Sequence, residues 1–360
     1  MEYGAGYLWV LSARSSVSYL AVQSDWDRRQ SSPAVGLRFG TVLDIKRRLP
    51  GSTGGTGNVA TEILRTPIAS GNHEITILTR SNPTIPSPGV SYKKIDYNDR
   101  ASLTLALKGY DVCLSFLVVH LDTDSIVQKN LIHACIEAGV KRFAPSEWGI
   151  KNHSGVPQYT NKDIIAAYLE ELNSKEKKLE YCLFQPSIFM DYFAHPNPLS
   201  PGLITWPFFI DFEKRRAMVL DGGDQPIVVT AIADISDMLE RALSDERVWP
   251  TTGDMRGART NINELLALGK KLRPGEWTVE YVKGEDIEKG QLKTSWVPQA
   301  SHPVIPVENR ERFSKEFVIM FFRGILRGSW DVGTTWNERF PDYKFSGLEE
   351  YLTKAWEGKV

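Results

Sequence analysis

The sequence predicts an α/β protein, in which a Rossmann-like, doubly wound parallel sheet is joined to a smaller α+β substrate domain. Segments typical of strands and helices alternate from residue 51 to residue 186, the order that gives a parallel sheet covered by helices. A glycine-rich turn opens this region, as in dinucleotide-binding folds. After residue 186 the alternation weakens, and aromatic residues and prolines become frequent.

Composition excludes several classes of protein. The 360 residues are 42% apolar and 24% charged, with 43 basic and 44 acidic side chains, as in ordinary globular proteins. A net charge of −1 argues against nucleic acid as a partner, and the sequence contains no apolar run of the ~18 residues that a membrane span needs. We expect Cys113, Cys135 and Cys182 to be buried and reduced, which favours a cytoplasmic location.

Residues 1–50 fit the sheet pattern poorly. The strand before the glycine turn should be apolar, but residues 44–50 contain three consecutive cations and end in Pro50, which a buried strand disfavours. Residues 37–44 could replace that strand, although the following loop would then be too long. We therefore predict an atypical, poorly ordered or aberrant extension over 1–50, an NAD(P)-binding domain over 51–186, and a substrate-binding cap, interleaved with the sheet edge, over 187–360.

The elements of the sheet region follow from the spacing of apolar residues. Segments with apolar residues on one face predict helices, and alternating or continuous apolar runs predict strands. Gly109 and Gly139 mark helix ends, and Pro145 ends a strand. The predicted order is helix 58–64, strands 74–79 and 90–95, helix 100–107, strand 112–118, helix 123–138, strand 141–144, helix 162–172 and strand 179–184.

The glycine turn is the first candidate site. A helix amino terminus exposes unpaired N–H groups that bind phosphate, and glycines let the backbone approach a pyrophosphate closely. Such a motif is weak by itself, because a plain glycine turn gives the same pattern. A helix and then a strand follow it here, so we assign cofactor binding to Gly51, Ser52, Thr53, Gly54, Gly55, Thr56 and Gly57.

Arg80 follows the strand at 74–79, at the end where the adenosine ribose lies in such folds. An acidic residue there would bind the 2′-hydroxyl of NAD, whereas a guanidinium suits the 2′-phosphate of NADP. The alternative is a solvated surface arginine. We predict NADPH as the cofactor.

Lys162 is the leading candidate for acid–base chemistry, with Tyr159 second. Thr160 is a candidate helix cap, so Lys162 would lie in the first helical turn. The helix dipole there, and burial by a bound nicotinamide, would lower the pKa of Lys162 and make it a usable proton donor or acceptor. The alternative is a solvent-facing lysine. Two residues separate Tyr159 from Lys162, against three in ordinary short-chain dehydrogenases.

Several motifs in order resemble one family. The glycine turn, the segments 78–80, 141–149 and 183–186, and the Tyr159–Lys162 pair look like the NmrA-like/isoflavone reductase-like branch of the atypical short-chain dehydrogenases, its fungal members above all. The resemblance covers roughly residues 51–358. It implies a Rossmann domain that binds NADPH and a catalytic acid/base lysine at position 162. It also implies small aromatic substrates or, in fungal relatives, secondary metabolites.

Further positions complete the predicted site. Assigned to the cofactor are Phe116, Leu117, Ser146 and Glu147; assigned to the substrate are Trp148, Phe189 and Tyr192. Aromatic rings could stack on a flat phenolic substrate, although they could equally form the core of the cap. No metal site is expected.

These residues predict one function and leave two alternatives. We expect an NADPH-dependent oxidoreductase that reduces a small aromatic or polyketide-type metabolite, with Lys162 as proton relay, acting as a monomer or homodimer without a nucleic-acid or membrane partner. The alternative is a non-catalytic, NAD(P)-sensing NmrA-like regulator. A sugar-nucleotide epimerase is less favoured, because the tyrosine–lysine spacing differs.

Overall fold

A six-stranded parallel sheet forms the centre of the amino-terminal half. The computed structural model describes the backbone of residues 38–43 and, in full, residues 57–79, 88–119, 122–302 and 305–359. The strands run in the order β3-β2-β1-β4-β5-β6, and all neighbouring pairs are parallel. They are β1 (Arg38–Leu43), β2 (Glu74–Thr79), β3 (Val90–Lys94), β4 (Val112–Phe116), β5 (Arg142–Ala144) and β6 (Glu180–Tyr181).

Helices cover both faces of this sheet. They are α1 (Asn58–Ile63), α2 (Arg65–Ser70), α3 (Arg100–Leu107), α4 (Ile126–Ala138) and α5 (Thr160–Asn173). One apolar cluster joins α3, α4 and α5 to one face, and a second joins α1 to the other. Strand β4 contributes Val112 and Leu114 to one cluster and Cys113 to the other, which explains its continuous apolar sequence. The predicted doubly wound fold is confirmed.

Strand β1 differs from the prediction for residues 1–50. Residues 38–43 form a central strand that pairs with both β2 and β4, so the sheet begins before residue 51. The replacement strand considered at 37–44 is the one the structure contains, and the cationic segment 44–50 lies outside the described residues. The error came from requiring the strand to adjoin the glycine turn directly.

The carboxyl-terminal half contains smaller sheets and further helices. Parallel strands β7 (Leu183–Gln185) and β12 (Thr252–Asp254) pair with each other. Two three-stranded sheets have the orders β14-β10-β9 and β13-β11-β8. Their strands are β8 (Ile188–Phe189), β9 (Ile210–Asp211), β10 (Arg216–Leu220), β11 (Ile227–Thr230), β13 (Ala258–Thr260) and β14 (Thr278–Val282). The helices are α6 (Ile232–Ser244), α7 (Ile262–Leu272), α8 (Gly284–Glu288), α9 (Arg310–Leu326), α10 (Thr335–Arg339) and α11 (Leu348–Trp356).

Part of the predicted cap belongs to the sheet half. Helix α6 packs against α1 and α2, and its Ile235 and Leu239 lie in the same apolar cluster as Ile63. The hydroxyl of Thr66 donates to Asp237 at 2.6 Å, which fixes α2 against α6. The predicted interleaving therefore extends beyond the sheet edge to a whole helix.

Two smaller expectations concern cysteines and membranes. The three cysteines are free and buried, as predicted. Within the described ranges, no helix has the length and hydropathy to cross a bilayer.

Candidate active site

The carboxyl ends of β4 and β5 place two segments side by side. The strands are in parallel register, with Leu114 opposite Ala144, so the residues that follow them emerge at the same edge of the sheet. Strand order reverses between β1 and β4, and such a switch point is where doubly wound sheets bind ligands. Helix α1 follows β1 in the chain and begins after Gly57. The topology therefore fits a dinucleotide at this edge.

Lys162 lies in the first turn of α5 with its side chain inside the protein. It is only 7% exposed, and its Nζ donates a hydrogen bond to the main-chain oxygen of Glu147. The ammonium also lies 4.6 Å from the centre of the Tyr159 ring. The alternative of a solvent-facing lysine is wrong. The structure brings Lys162 and Tyr159 together, as the sequence grouped them, and adds Glu147, which the sequence assigned to the cofactor.

Burial controls the ionisation of Lys162. Loss of hydration lowers the pKa of its ammonium group, and the negative charges of Glu147 and Asp163 partly oppose that shift. The predicted direction is confirmed, but the protein itself buries the amine, with no nicotinamide required. A cation in the first turn of a helix is also disfavoured by the helix dipole.

The helix start differs in detail from the prediction. Tyr159, and not Thr160, occupies the cap position of α5. The Thr160 hydroxyl donates backwards to the oxygen of Pro157 at 2.9 Å, and the Asp163 carboxylate accepts from the backbone N–H of His153 at 2.7 Å. The capping box therefore does not form, because each side chain has another partner.

Glu147 is a buried acid close to the lysine. Its side chain is 3% exposed, and one carboxyl oxygen accepts from Asn152 Nδ2 at 3.3 Å. Burial raises the pKa of Glu147 to about 7, although the charge of Lys162 and the Asn152 hydrogen bond favour ionisation. Near neutral pH, Glu147 can therefore gain or lose a proton.

Tyr159 contributes a phenol that stays protonated. Burial raises the pKa of its hydroxyl, so Tyr159 can donate a proton or a hydrogen bond but is a poor base. Its ring meets that of Trp330 edge to face at 6.3 Å. This environment ranks Tyr159 below Lys162 for proton transfer, as the sequence did.

Trp148 is buried among other aromatic rings. Its indole stacks on Phe116 at 4.5 Å and on Phe184 at 5.1 Å, with interplanar angles of 6° and 11°. The indole N–H donates to the oxygen of Ser115 at 2.8 Å. The indole therefore packs against two nearly parallel rings and is only 8% exposed. These contacts give Trp148 a structural role, and its predicted contact with substrate stays a prediction.

The other predicted substrate residues lie where the two halves meet. Tyr192 is half-buried and packs against three separate apolar clusters of the molecule. Its ring lies 6.2 Å from Phe189, 5.4 Å from Phe208 and 5.2 Å from Trp206. Tyr192 is also close enough to Tyr159 for the two phenols to interact electrostatically, and burial raises the pKa of Tyr192. This aromatic group is therefore linked to Tyr159, whose ring lies beside the Lys162 amine.

The predicted cofactor residues divide into two groups. Phe116, Leu117 and Ser146 are buried at the carboxyl edge, where the Ser146 hydroxyl donates to the oxygen of Leu117 at 2.7 Å. Gly57 caps α1. The remaining predicted positions lie outside the described residues, namely Gly51, Ser52, Thr53, Gly54, Gly55, Thr56 and Arg80.

Sequence reasoning missed two residues that are connected to Glu147 by hydrogen bonds. Asn152 Oδ1 accepts from Gln185 Nε2 at 2.5 Å, so Gln185, Asn152 and Glu147 form a chain of hydrogen bonds. Gln185 was part of a quoted motif, but Asn152 had no distinguishing pattern. In the described part of the chain, no cluster of side chains could hold a metal ion.

Together, the doubly wound sheet and the buried lysine at its carboxyl edge define a Rossmann-like α/β protein with a candidate active site. The sequence model of the NmrA-like family matches residues 52–352. The chain belongs to the NmrA-like family, which confirms the resemblance found in the sequence.

Named relatives agree with that assignment. Oxidoreductase swnN of Arthroderma benhamiae is 26% identical over 294 residues, covering 74% of this chain and 90% of that protein. Phenylcoumaran benzylic ether reductase Betv6 of Betula pendula is 26% identical over 320 residues, covering 83% and 96%. The solved leucoanthocyanidin reductase–NADPH complex from Vitis vinifera has a TM-score of 0.62 at 17% identity, covering 84% and 97%. The predicted class, oxidoreductase, is thus the class these relatives carry in their names.

Proposed function

We propose that the protein is an NADPH-dependent reductase of a small aromatic or polyketide-type metabolite, with Lys162 as the proton relay. The observation that carries the proposal is the buried amine of Lys162 at the carboxyl edge of a dinucleotide-type sheet. NADPH is bound in a solved protein of the same fold, and when bound it would supply hydride.

The surroundings of Lys162 suit proton transfer. A buried lysine whose pKa is lowered exchanges its proton more readily near neutral pH than an exposed one. The main-chain oxygen of Glu147 orients the ammonium, while Tyr159 offers a protonated phenol beside it. A purely sensory protein needs no such group, so this site favours the enzyme over the regulator.

The aromatic group supports the proposed substrate class. The ring of Tyr192 lies within 6.2 Å of the rings of Phe189, Trp206 and Phe208. Tyr192 lies between the sheet half and the carboxyl-terminal half. Aromatic side chains bind flat rings by stacking and edge contacts. Secondary metabolism is the proposed setting, because the sequence motifs resemble the fungal members of the family above all.

Cofactor binding and turnover test the proposal. Purified protein is titrated with NADPH and with NADH by tryptophan fluorescence, and NADPH oxidation is then followed with phenolic and polyketide enones. We expect tighter binding of NADPH and oxidation with at least one enone class. Binding without oxidation across both classes would favour the sensor, and failure to bind either nucleotide would overturn the cofactor assignment.

Arg80→Asp is expected to shift cofactor preference from NADPH toward NADH. The guanidinium would lose its charge-assisted hydrogen bonds to the 2′-phosphate, worth about 1.5–3 kcal/mol each, and the new carboxylate would repel that phosphate. The ratio of the two dissociation constants measures the effect, with Arg100→Asp as a control on another element. An unchanged ratio in Arg80→Asp would contradict the assignment of Arg80 to the ribose site.

A further inference from the structure

We propose that Glu147 is the positioning residue of Lys162: its main-chain oxygen fixes the amine, and its buried carboxyl, held by Asn152 and Gln185, sets the charge of that amine. This inference rests on the proposed function for the role of Lys162, but its geometry is independent of cofactor and substrate. It also gives Glu147 a role other than the cofactor contact expected from the sequence.

The backbone around Glu147 is shaped to meet Lys162. The next residue, Trp148, has φ of +43°, a left-handed conformation that a bulky residue adopts only where its surroundings enforce it. The indole hydrogen bond to Ser115 and the stacking on Phe116 and Phe184 supply that enforcement. The turn leaves the Glu147 oxygen as the acceptor for Nζ. Strain of this kind is commonly retained at functional sites.

The carboxyl of Glu147 is held by a chain of amides. Asn152 donates to Glu147, and Gln185 donates to Asn152. Gln185 is 2% exposed and belongs to β7, where its main-chain oxygen also accepts from Met255 N at 3.1 Å. The chain therefore connects the Glu147 carboxyl to strand β7, and Glu147 and Gln185 at its two ends are buried. Networks of paired polar groups hold their members rigidly.

The charges around the two groups determine how they ionise. Glu147 and Asp163 are the acids that interact with Lys162, and Lys162 and Asp163 are the charges that act on Glu147. Burial moves the two pKa values toward each other, lowering that of Lys162 and raising that of Glu147. Removing the carboxylate would lower the pKa of Lys162 further, because burial would act unopposed by this charge.

The test is a pH titration of Lys162 in the full chain by NMR of lysine labelled with ¹³C at Cε. The signal is assigned by its loss in Lys162→Met. In Glu147→Gln we expect the midpoint of Lys162 to move to lower pH, so that the neutral fraction at a fixed pH rises several-fold. Asp234→Asn is the matched control, because it neutralises another buried carboxyl that hydrogen-bonds Tyr343 and Ser346 instead. Its Lys162 midpoint should equal that of the unaltered protein.

Asn152→Ala keeps the proposal falsifiable if Glu147→Gln does not fold. Loss of the Asn152 hydrogen bond disfavours the carboxylate, so the Lys162 midpoint should again move to lower pH, by less than in Glu147→Gln. A midpoint in either folded variant equal to that of Asp234→Asn overturns the proposal. If the midpoint moves but Lys162 variants keep full turnover, the positioning stands and the proposed function fails.

Discussion

Lys162→Ala is expected to lower turnover by about 10²–10⁴-fold, the usual contribution of a positioned acid–base group, while NADPH binding stays within a few-fold. The amine is buried beside Glu147 and Tyr159. The measurements are the rate of NADPH oxidation with an accepted enone and the NADPH dissociation constant by fluorescence titration.

Two further variants separate proton transfer from structure. Lys162→Met keeps the length of the side chain but cannot carry a proton, so it should be as inactive as Lys162→Ala. Lys175→Ala removes an exposed lysine just beyond the carboxyl end of α5 and should retain normal rates. A folded Lys162 variant that loses NADPH binding would contradict the assigned role, as would one that keeps its rate.

Trp148→Ala is expected to lower the free energy of unfolding by about 3–5 kcal/mol, as for other buried tryptophans that are truncated. The change removes the ring between Phe116 and Phe184 and leaves the oxygen of Ser115 without the indole donor. It also leaves a β-carbon in a left-handed conformation. Urea unfolding followed by circular dichroism measures the loss.

A comparison of Trp148→Gly with Trp148→Ala isolates the backbone contribution. Both variants lose the whole ring, but glycine adopts the left-handed conformation without the cost of about 1–2 kcal/mol that other residues pay. Trp148→Gly should therefore be the more stable of the two, although it is smaller. If Trp148→Ala were the more stable variant, the φ of +43° would not cost a non-glycine residue free energy.

The sheet and the lysine were accessible from sequence because local patterns encode them. Apolar periodicity and glycine stops located α4 and α5 to within a few residues. The family motifs singled out Lys162, and its burial follows from its place in the first turn of α5 on the edge of the sheet. These features depend on residues close together in the chain.

The remaining features depend on contacts between distant residues. Trp148 was assigned to the substrate, because nothing in its sequence reveals that it stacks on Phe116 and Phe184. Asn152 and Gln185 are 33 residues apart in the chain and meet only in the folded structure, where Gln185 belongs to β7. The first strand was not assigned, because the segment before the glycine turn carries three consecutive cations and the loop after segment 37–44 was judged too long. The paired segment is Arg38–Leu43.

Because α6 packs on α1 and α2, segments of this chain cannot be exchanged freely with those of its relatives. Residues 232–244 come late in the chain, yet Ile235 and Leu239 complete the apolar layer around Ile63 and Ala60. A chimaera joined at residue 186 would set a foreign α6 against a native α1, and the mismatch would fall on the helix that begins after Gly57. Recombination between relatives would therefore be tolerated only where α1, α2 and α6 are inherited together.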